Sequence, residues 1–192
     1  MDVNKQIDQV VAAINQGKLV VIPTDTVYGI AADPNNEDAI VRLIAAKKRD
    51  AKKPIALLAS DIESIIDFGA IMNEQELALA KAFWPGALTL VMNVKDGSPE
   101  GFRIPDLEIS REIIKRCGGV LRVSSANLSG EEPALTAKDA AEALAEEDIA
   151  MFIDAGPVRV GVASTVASAA SGQLKVFREG ALSVDELEKR TE

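Results

Sequence analysis

The sequence predicts an α/β fold in which helices cover a mixed β-sheet, and three observations support this prediction. Segments with the apolar spacing of helices alternate with short apolar runs typical of strands. Several strands follow one another late in the chain, which favours a mixed sheet over a purely parallel one. Hydrophobic residues make up 47% of the 192 residues and aromatic residues 4%, so we expect one domain, over residues 1–192, with an aliphatic core.

Helices and strands in the first half of the chain have recognisable ends. Apolar residues recur with helical spacing from Val3 to Ile14, and Gly17 can end that helix because glycine tolerates a left-handed turn. The side-chain oxygen of Asn36 can cap the second helix. The predicted order is a helix over 3–14, a strand over 18–22, a helix after 36, a strand over 55–59, and helices over 61–67 and 73–83.

The second half of the chain contains more predicted strands than helices. Trp84-Pro85-Gly86 ends a helix, Trp84 itself is expected in the core, and residues 96–100 form a predicted turn. Thr136 and Ser183 are good helix caps. The predicted order is a strand over 87–94, a helix over 107–116, a strand over 120–124, a helix over 136–147, strands over 149–153, 162–166 and 173–177, and a last helix.

The composition excludes several classes of function. The net charge is −9, which opposes the long-range attraction to phosphates on which nucleic-acid binding depends. With one cysteine, Cys117, and no histidine, the chain cannot form an intrachain disulfide, a Cys-His metal site or a Ser-His catalytic pair. Residues 1–17 are unlike a signal peptide, and no apolar run approaches the ~20 residues that span a bilayer. We therefore expect a cytoplasmic protein with no membrane partner.

Cationic side chains are the first candidates for a binding site, because no glycine-rich phosphate-binding fingerprint occurs. Lys47 lies on the apolar face of the second predicted helix. It is either a functional cation or a cation whose charge complements the C-terminus of that helix. Arg49 belongs to the densest positive cluster, residues 47–53. The alternative interpretation of this cluster is a solvated basic turn without a binding role. Arg103 and Arg178 can bind a carboxylate or phosphate through a forked guanidinium, or be surface charges.

Polar segments that follow apolar strands are the second candidates. Residues 23–29, which include Thr26, and residues 124–130, which include Ser125 and Asn127, stand where α/β folds place their sites. Their hydroxyl and amide groups can donate and accept hydrogen bonds. Ser164 lies within an apolar strand, where a hydroxyl needs a partner. Ordinary turns and structural hydrogen bonds remain the alternative for each of them.

Seven segments, taken together and in this order, resemble the YrdC/TsaC family over about residues 18–180. They are Pro23-Thr24-Asp25-Thr26-Val27-Tyr28-Gly29, Lys47-Lys48-Arg49, Trp84-Pro85-Gly86, Arg103 before Ile104-Pro105, Ser125-Ala126-Asn127, Ser164-Thr165-Val166 and Arg178-Glu179-Gly180. The resemblance implies a YrdC-like catalytic domain, a twisted mixed-sheet sandwich with a concave, positively charged groove.

The resemblance also implies an activity, L-threonylcarbamoyladenylate synthase. Such a nucleotidyltransferase makes threonylcarbamoyl-AMP and pyrophosphate from L-threonine, bicarbonate or CO2, and ATP with Mg²⁺. The product would pass to a tRNA threonylcarbamoyl-transferase complex. By position, threonine would contact Thr26, Arg103 and Ser164, and ATP would contact Lys47, Arg49, Ser125, Asn127 and Arg178. Lys47 and Arg49 would be the catalytic cations, and no side chain is assigned to a metal.

The sequence departs from the family pattern at four places. Asp50 replaces a proline after Lys-x-Arg, and Leu58 stands where some longer relatives have a histidine that contacts threonine. Leu107-Glu108 replaces His-Pro, and Ala167-Ser168 replaces Val-Asp. Two alternatives therefore stay open. One is an RNA-binding module of weak affinity, which the net charge opposes, and the other is a non-catalytic paralogue that binds a nucleotide or RNA.

Overall fold

The computed structural model describes residues 3–190, so residues 1–2 and 191–192 of the predicted domain lie outside the described residues. The helices are α1 (Val3–Asn15), α2 (Glu37–Ala46), α3 (Ile62–Phe68), α4 (Glu74–Phe83), α5 (Glu108–Arg116), α6 (Ala137–Ala143) and α7 (Val184–Glu188). The strands are β1 (Leu19–Ile22), β2 (Gly29–Ala32), β3 (Leu57–Ala59), β4 (Ala70–Ile71), β5 (Leu88–Val94), β6 (Pro99–Arg103), β7 (Val120–Ser125), β8 (Ile149–Phe152), β9 (Thr165–Ser168) and β10 (Lys175–Arg178).

All of these strands belong to one mixed sheet, which confirms the predicted fold class. Its order is β10-β9-β5-β6-β3-β7-β2-β1-β8, with β4 paired to β5. The pairs β1–β8, β3–β6 and β5–β9 are parallel, and the other pairs are antiparallel. Segments distant in sequence thus become neighbours, so that β5, β6, β3 and β7 bring their side chains to one surface.

The predicted helix caps and core positions are confirmed. The side chains of Asn36, Thr136 and Ser183 accept hydrogen bonds from the first turns of α2, α6 and α7. Trp84 is buried, and its indole nitrogen donates to the carbonyl oxygen of Leu88 at 2.7 Å. Three clusters of mostly aliphatic residues pack between the sheet and the helices, as the low aromatic content predicts. In the described range, no helix is at once long enough and apolar enough to cross a bilayer.

Three strands were not predicted, because small or turn-forming residues obscure them. The strands β2 and β4 are short, and β2 begins at Gly29. The turn predicted over 96–100 lies between Val94 and Ser98 in the structure, where Val94 donates its N–H to the Ser98 carbonyl at 2.9 Å. Pro99 then begins β6, a position that proline tolerates at the start of a strand.

Two predicted boundaries were wrong by three residues or more. The strand predicted over 162–166 begins at Thr165, because pairing with β5 starts there and Val162 remains half exposed in the preceding loop. The helix predicted to reach residue 147 ends at Ala143. The acidic run over 146–148 would place like charge at the negative end of a longer helix, which is unfavourable.

Candidate functional site

A concave cavity of about 680 Å³ lies over one face of the sheet. Its walls come from strands β2, β3, β5, β6, β7, β9 and β10 and from the loops before them. The charged side chains that line it among the described residues are Arg49, Lys53, Arg103 and Arg178, and all four are cations. The volume is typical of sites that enclose a small molecule. The overall charge of the groove stays a prediction.

Arg103 is held at the end of β6 by protein groups on three sides. Its Nε donates to the Gly86 carbonyl at 2.9 Å, and its Nη1 donates to Thr26 Oγ1 at 2.7 Å. Its Nη2 forms a buried ion pair with the carboxylate of Asp25. Burial lowers the pKa of Arg103, whereas the Asp25 carboxylate raises it. A guanidinium has five N–H donors, so two of them remain for a ligand beside Thr26.

Ser164 and Arg178 form the opposite wall. Ser164 Oγ lies 2.8 Å from Thr89 Oγ1, and the Ser164 carbonyl accepts a hydrogen bond from Arg178 Nη2 at 2.8 Å. Partial burial of its guanidinium lowers the pKa of Arg178, although the residue is exposed overall, and the nearby charge of Arg49 lowers it further. Two uncompensated guanidinium groups close enough to repel each other favour an anion between them.

Lys47 does not line the cavity but lies behind its wall. The residue ends α2, its side chain is 2% exposed, and its Nζ donates to the Asn127 carbonyl at 2.7 Å and to the Ser125 carbonyl. The side-chain oxygens of the same two residues lie 3.3 Å away. Burial lowers the pKa of Lys47 to about 8, with a smaller contribution from the charge of Arg49. In this arrangement Lys47 fixes the 125–127 segment from behind.

The other predicted nucleotide ligands divide in the same way. Arg49 and Ser125 line the cavity, whereas Asn127 uses its amide nitrogen to donate to the carbonyls of Leu128 and Glu131 at 2.9 and 2.8 Å. Arg49 Nη2 donates to the Pro54 carbonyl at 2.9 Å, while its buried Nε has no partner within the described residues. Arg49 therefore keeps donor capacity for an anion.

Six of the eight predicted site residues thus line a single cavity, and two lie directly behind it. The lining residues are Thr26, Arg49, Arg103, Ser125, Ser164 and Arg178. Leu58, noted as a departure, also lines it. Lys53, a member of the predicted positive cluster, lines the cavity as well. Sequence reasoning missed Asp25 as the partner of Arg103, and missed Thr89 and Phe177. The alternation of side chains along β5 could have pointed to Thr89. The pairing of Asp25 with Arg103 could not be predicted in this way, because the two residues are 78 positions apart in the sequence.

The arrangement can bind anions and hydroxyl groups, and it offers positioned donors more than a nucleophile. No group of three or more potential metal ligands occurs within residues 3–190. Among the residues described as lining the cavity there is no carboxylate, and Mg²⁺ binds proteins chiefly through carboxylates and substrate phosphates. The lining therefore does not fit a Mg²⁺ ion held by the protein alone.

Comparisons with known proteins identify the family to which the chain belongs. The family model Sua5/YciO/YrdC, described as telomere recombination, matches residues 12–180. The chain is 34% identical to the threonylcarbamoyl-AMP synthase of Bacillus subtilis, over 95% of this chain and 56% of that protein. It is 34% identical to a putative threonylcarbamoyl-AMP synthase of Mycobacterium tuberculosis, over 92% of this chain and 85% of that one.

A solved structure shares the fold. The structure of Pyrococcus abyssi Sua5 complexed with L-threonine matches with a TM-score of 0.91 and 33% identity. The match covers 98% of this chain and 58% of that chain, so the chain spans little more than half the length of this relative and of the Bacillus protein. The matched residues include every motif that forms the cavity, and the chain therefore belongs to the Sua5/YciO/YrdC family.

Proposed function

We propose that the protein is a threonylcarbamoyl-AMP synthase, a nucleotidyltransferase that acts in the cytoplasm. The observation that carries the proposal is the convergence of Arg49, Arg103 and Arg178 on one cavity that hydroxyl groups also line. The names of the relatives and the threonine bound to Pyrococcus abyssi Sua5 support it. The product is threonylcarbamoyl-AMP, which a tRNA threonylcarbamoyl-transferase complex then consumes.

In this proposal threonine binds at the Arg103 end of the cavity. The two remaining N–H groups of Arg103 suit a carboxylate, because a guanidinium binds one through parallel hydrogen bonds. Thr26 and Ser164 place hydroxyl groups on either side of it, and both are already oriented, by Arg103 and by Thr89 respectively. Such preorganised partners lower the entropy cost of binding.

ATP binds with its phosphates toward Arg49 and Arg178. These guanidinium groups contact backbone carbonyls and no carboxylate within the described residues, so their charge is available to a phosphate. Ser125 adds a hydroxyl, and Lys47 and Asn127 hold the segment that presents it. A Mg²⁺ ion would be held by oxygen atoms of the triphosphate, because no carboxylate occurs among the described lining residues.

The reaction needs no protein nucleophile. The threonine amine adds to CO2, formed from bicarbonate, and loses a proton to give a carbamate. An oxygen of this carbamate attacks the α-phosphorus of ATP, and pyrophosphate leaves with the electron pair of the broken P–O bond. Negative charge accumulates around the α-phosphorus, where positioned cations stabilise it. The catalytic contribution of the chain is therefore positioning and charge stabilisation.

The test is pyrophosphate release from ATP, with threonine and bicarbonate omitted in turn. The proposal expects release only when both are present, and expects serine to replace threonine poorly. Release that ignores threonine would contradict it. ATP that protects the protein against heating without any turnover would favour a non-catalytic paralogue, and a salt-sensitive shift of RNA would favour the RNA-binding alternative.

A further inference from the structure

An exposed aromatic ring lies in the wall of the cavity. Phe177 is 53% exposed, yet it lines the cavity beside Arg178. Aromatic residues make up only 4% of the chain, and most of a Phe side chain is normally buried. Tyr28 also lines the cavity, but it is fully buried and donates its hydroxyl to the Gly156 carbonyl at 2.7 Å. Phe177 is thus the aromatic ring whose surface remains open to a ligand among the described lining residues.

A β-bulge directs this ring into the cavity. On β10, Val176 pairs with Ala167 and Arg178 pairs with Val166, so Phe177 is the extra residue of the bulge. Adjacent residues of a regular strand point to opposite faces of the sheet, yet Phe177 and Arg178 both line the cavity. Bulges commonly redirect a side chain next to an active site. One short strand therefore presents an aromatic ring and a guanidinium to the same ligand.

We call the lining residues Val91, Val166 and Phe177 the apolar slot of the cavity. Phe177 lies on β10, Val166 on the adjacent strand β9, and Val91 on β5, which is the next strand of the sheet. Gly101 on β6 has no side chain, and a Cβ there would lie 3.3 Å from Thr89 Cγ2 and narrow the floor. The ammonium of Lys175 lies 5.1 Å from the centroid of the Phe177 ring and covers one face only. The opposite face is left for a planar group.

We propose that Phe177 stacks against the base of the bound nucleotide, whose phosphates contact Arg178 and Arg49. The proposal rests on the proposed function, since it needs a nucleotide substrate. Every nucleobase has a π-face, and an aromatic side chain that stacks on it stabilises binding without reading the base identity. The cations at the Arg178 end suit the phosphates and the apolar slot suits the base, so the cavity matches a nucleotide in charge and polarity along its length.

The first experiment separates the base from the phosphates. Binding of ATP and of inorganic tripolyphosphate is measured by calorimetry on the wild type, on Phe177→Ala and on Ile66→Ala. Ile66 is an equally exposed apolar residue of α3 outside the cavity lining, and its variant is the control. We expect Phe177→Ala to weaken ATP about 10-fold, which is typical of one lost base–aromatic stack, and to leave tripolyphosphate and the control unchanged. GTP should lose as much affinity as ATP.

The second experiment detects stacking directly. Phe177→Trp keeps an aromatic face at the position and adds a fluorophore, and the buried Trp84 of the wild type gives the background signal. ATP should quench the new fluorescence, because a stacked base quenches indole, whereas tripolyphosphate should not. Phe177→Trp should also retain ATP affinity within about threefold, since indole stacks at least as well as phenyl.

Each outcome decides the proposal. An ATP affinity that Phe177→Ala leaves unchanged would overturn it while the proposed function stands. Equal losses for ATP and tripolyphosphate would also overturn it, because the variant would then have displaced Arg178 and not removed a stack. A wild type that binds tripolyphosphate but gains nothing from the base overturns it as well, and a wild type that binds neither ligand overturns the proposed function with it.

Discussion

Burial of the Lys47 ammonium makes the stability of the protein depend on pH in a predictable direction. Its pKa is lowered from 10.5 to about 8. Between these two values the unfolded chain binds the proton and the folded protein releases it, so the unfolding free energy rises with pH in that window. The full difference corresponds to roughly 3 kcal/mol, of which about 2 kcal/mol is gained between pH 7 and pH 9.5.

The assay is urea denaturation of the wild type and of Lys47→Met from pH 7 to pH 9.5. Methionine fills a similar volume without a charge, so the difference between the two proteins cancels other groups that titrate, such as Cys117, whose pKa burial raises to about 11. We expect the wild type to gain about 2 kcal/mol relative to Lys47→Met over this range. Lys52→Met removes an exposed ammonium, so the difference in unfolding free energy between the wild type and this variant should not change with pH.

A difference that stays flat with pH would refute the reasoning. The Nζ of Lys47 faces four oxygen atoms of Ser125 and Asn127, and these oxygens favour the ammonium. A flat difference would mean that they fully offset the cost of burial. The same measurement therefore distinguishes an ammonium that is buried at a net cost in free energy from one whose oxygen partners fully compensate the cost of burial.

Three further predictions test the walls of the cavity. Asp25→Asn should lower the unfolding free energy by about 3–5 kcal/mol, because it leaves the buried Arg103 guanidinium without its charged partner; urea denaturation checks this, and an unchanged midpoint would contradict it. Arg49→Ala should slow pyrophosphate release by about 10²–10³-fold, as the loss of one positioned donor does, whereas Lys52→Ala should not. Gly180→Ala should lower the unfolding free energy by roughly 1–3 kcal/mol, because its methyl group would lie 2.2 Å from a backbone carbonyl oxygen; an unchanged urea midpoint would contradict the packing argument.

The sequence predicted which residues gather in the cavity better than it predicted what each one contacts. Lys47 was placed on the apolar face of its helix, and its burial confirms that placement. Its partners, Ser125 and Asn127, lie 78 and 80 residues away, and nothing local to α2 could identify them. The pairing of β2 with β7 sets the position of that segment. Helix periodicity can be read from neighbouring residues, whereas the contacts of a buried ammonium involve residues far away in the sequence.

Phe177 shows the same limit for strands. Alternation along β10 predicts that Phe177 and Arg178 point to opposite faces. The bulge that places both in the cavity depends on the register with β9, which is a property of the assembled sheet. The short strand β6 was not predicted, because a turn signal precedes it. The position of Gly101 in the floor of the cavity was therefore not predicted either. Patterns in one segment do not report how two segments align.

The distribution of partners among the arginines explains how an acidic chain can present a cavity whose described charged lining residues are all cations. Arg111, Arg116, Arg122 and Arg159, which do not line the cavity, each form an ion pair with Asp or Glu. Within the cavity Arg103 shares its charge with Asp25, whereas Arg49 and Arg178 contact carbonyl oxygens. Carbonyl partners orient a guanidinium without neutralising it, so the charge of these two remains for the ligand. The same difference suits Arg103 to a single carboxylate and the other two to a polyphosphate, which is the order of substrates along the cavity that the proposed reaction requires.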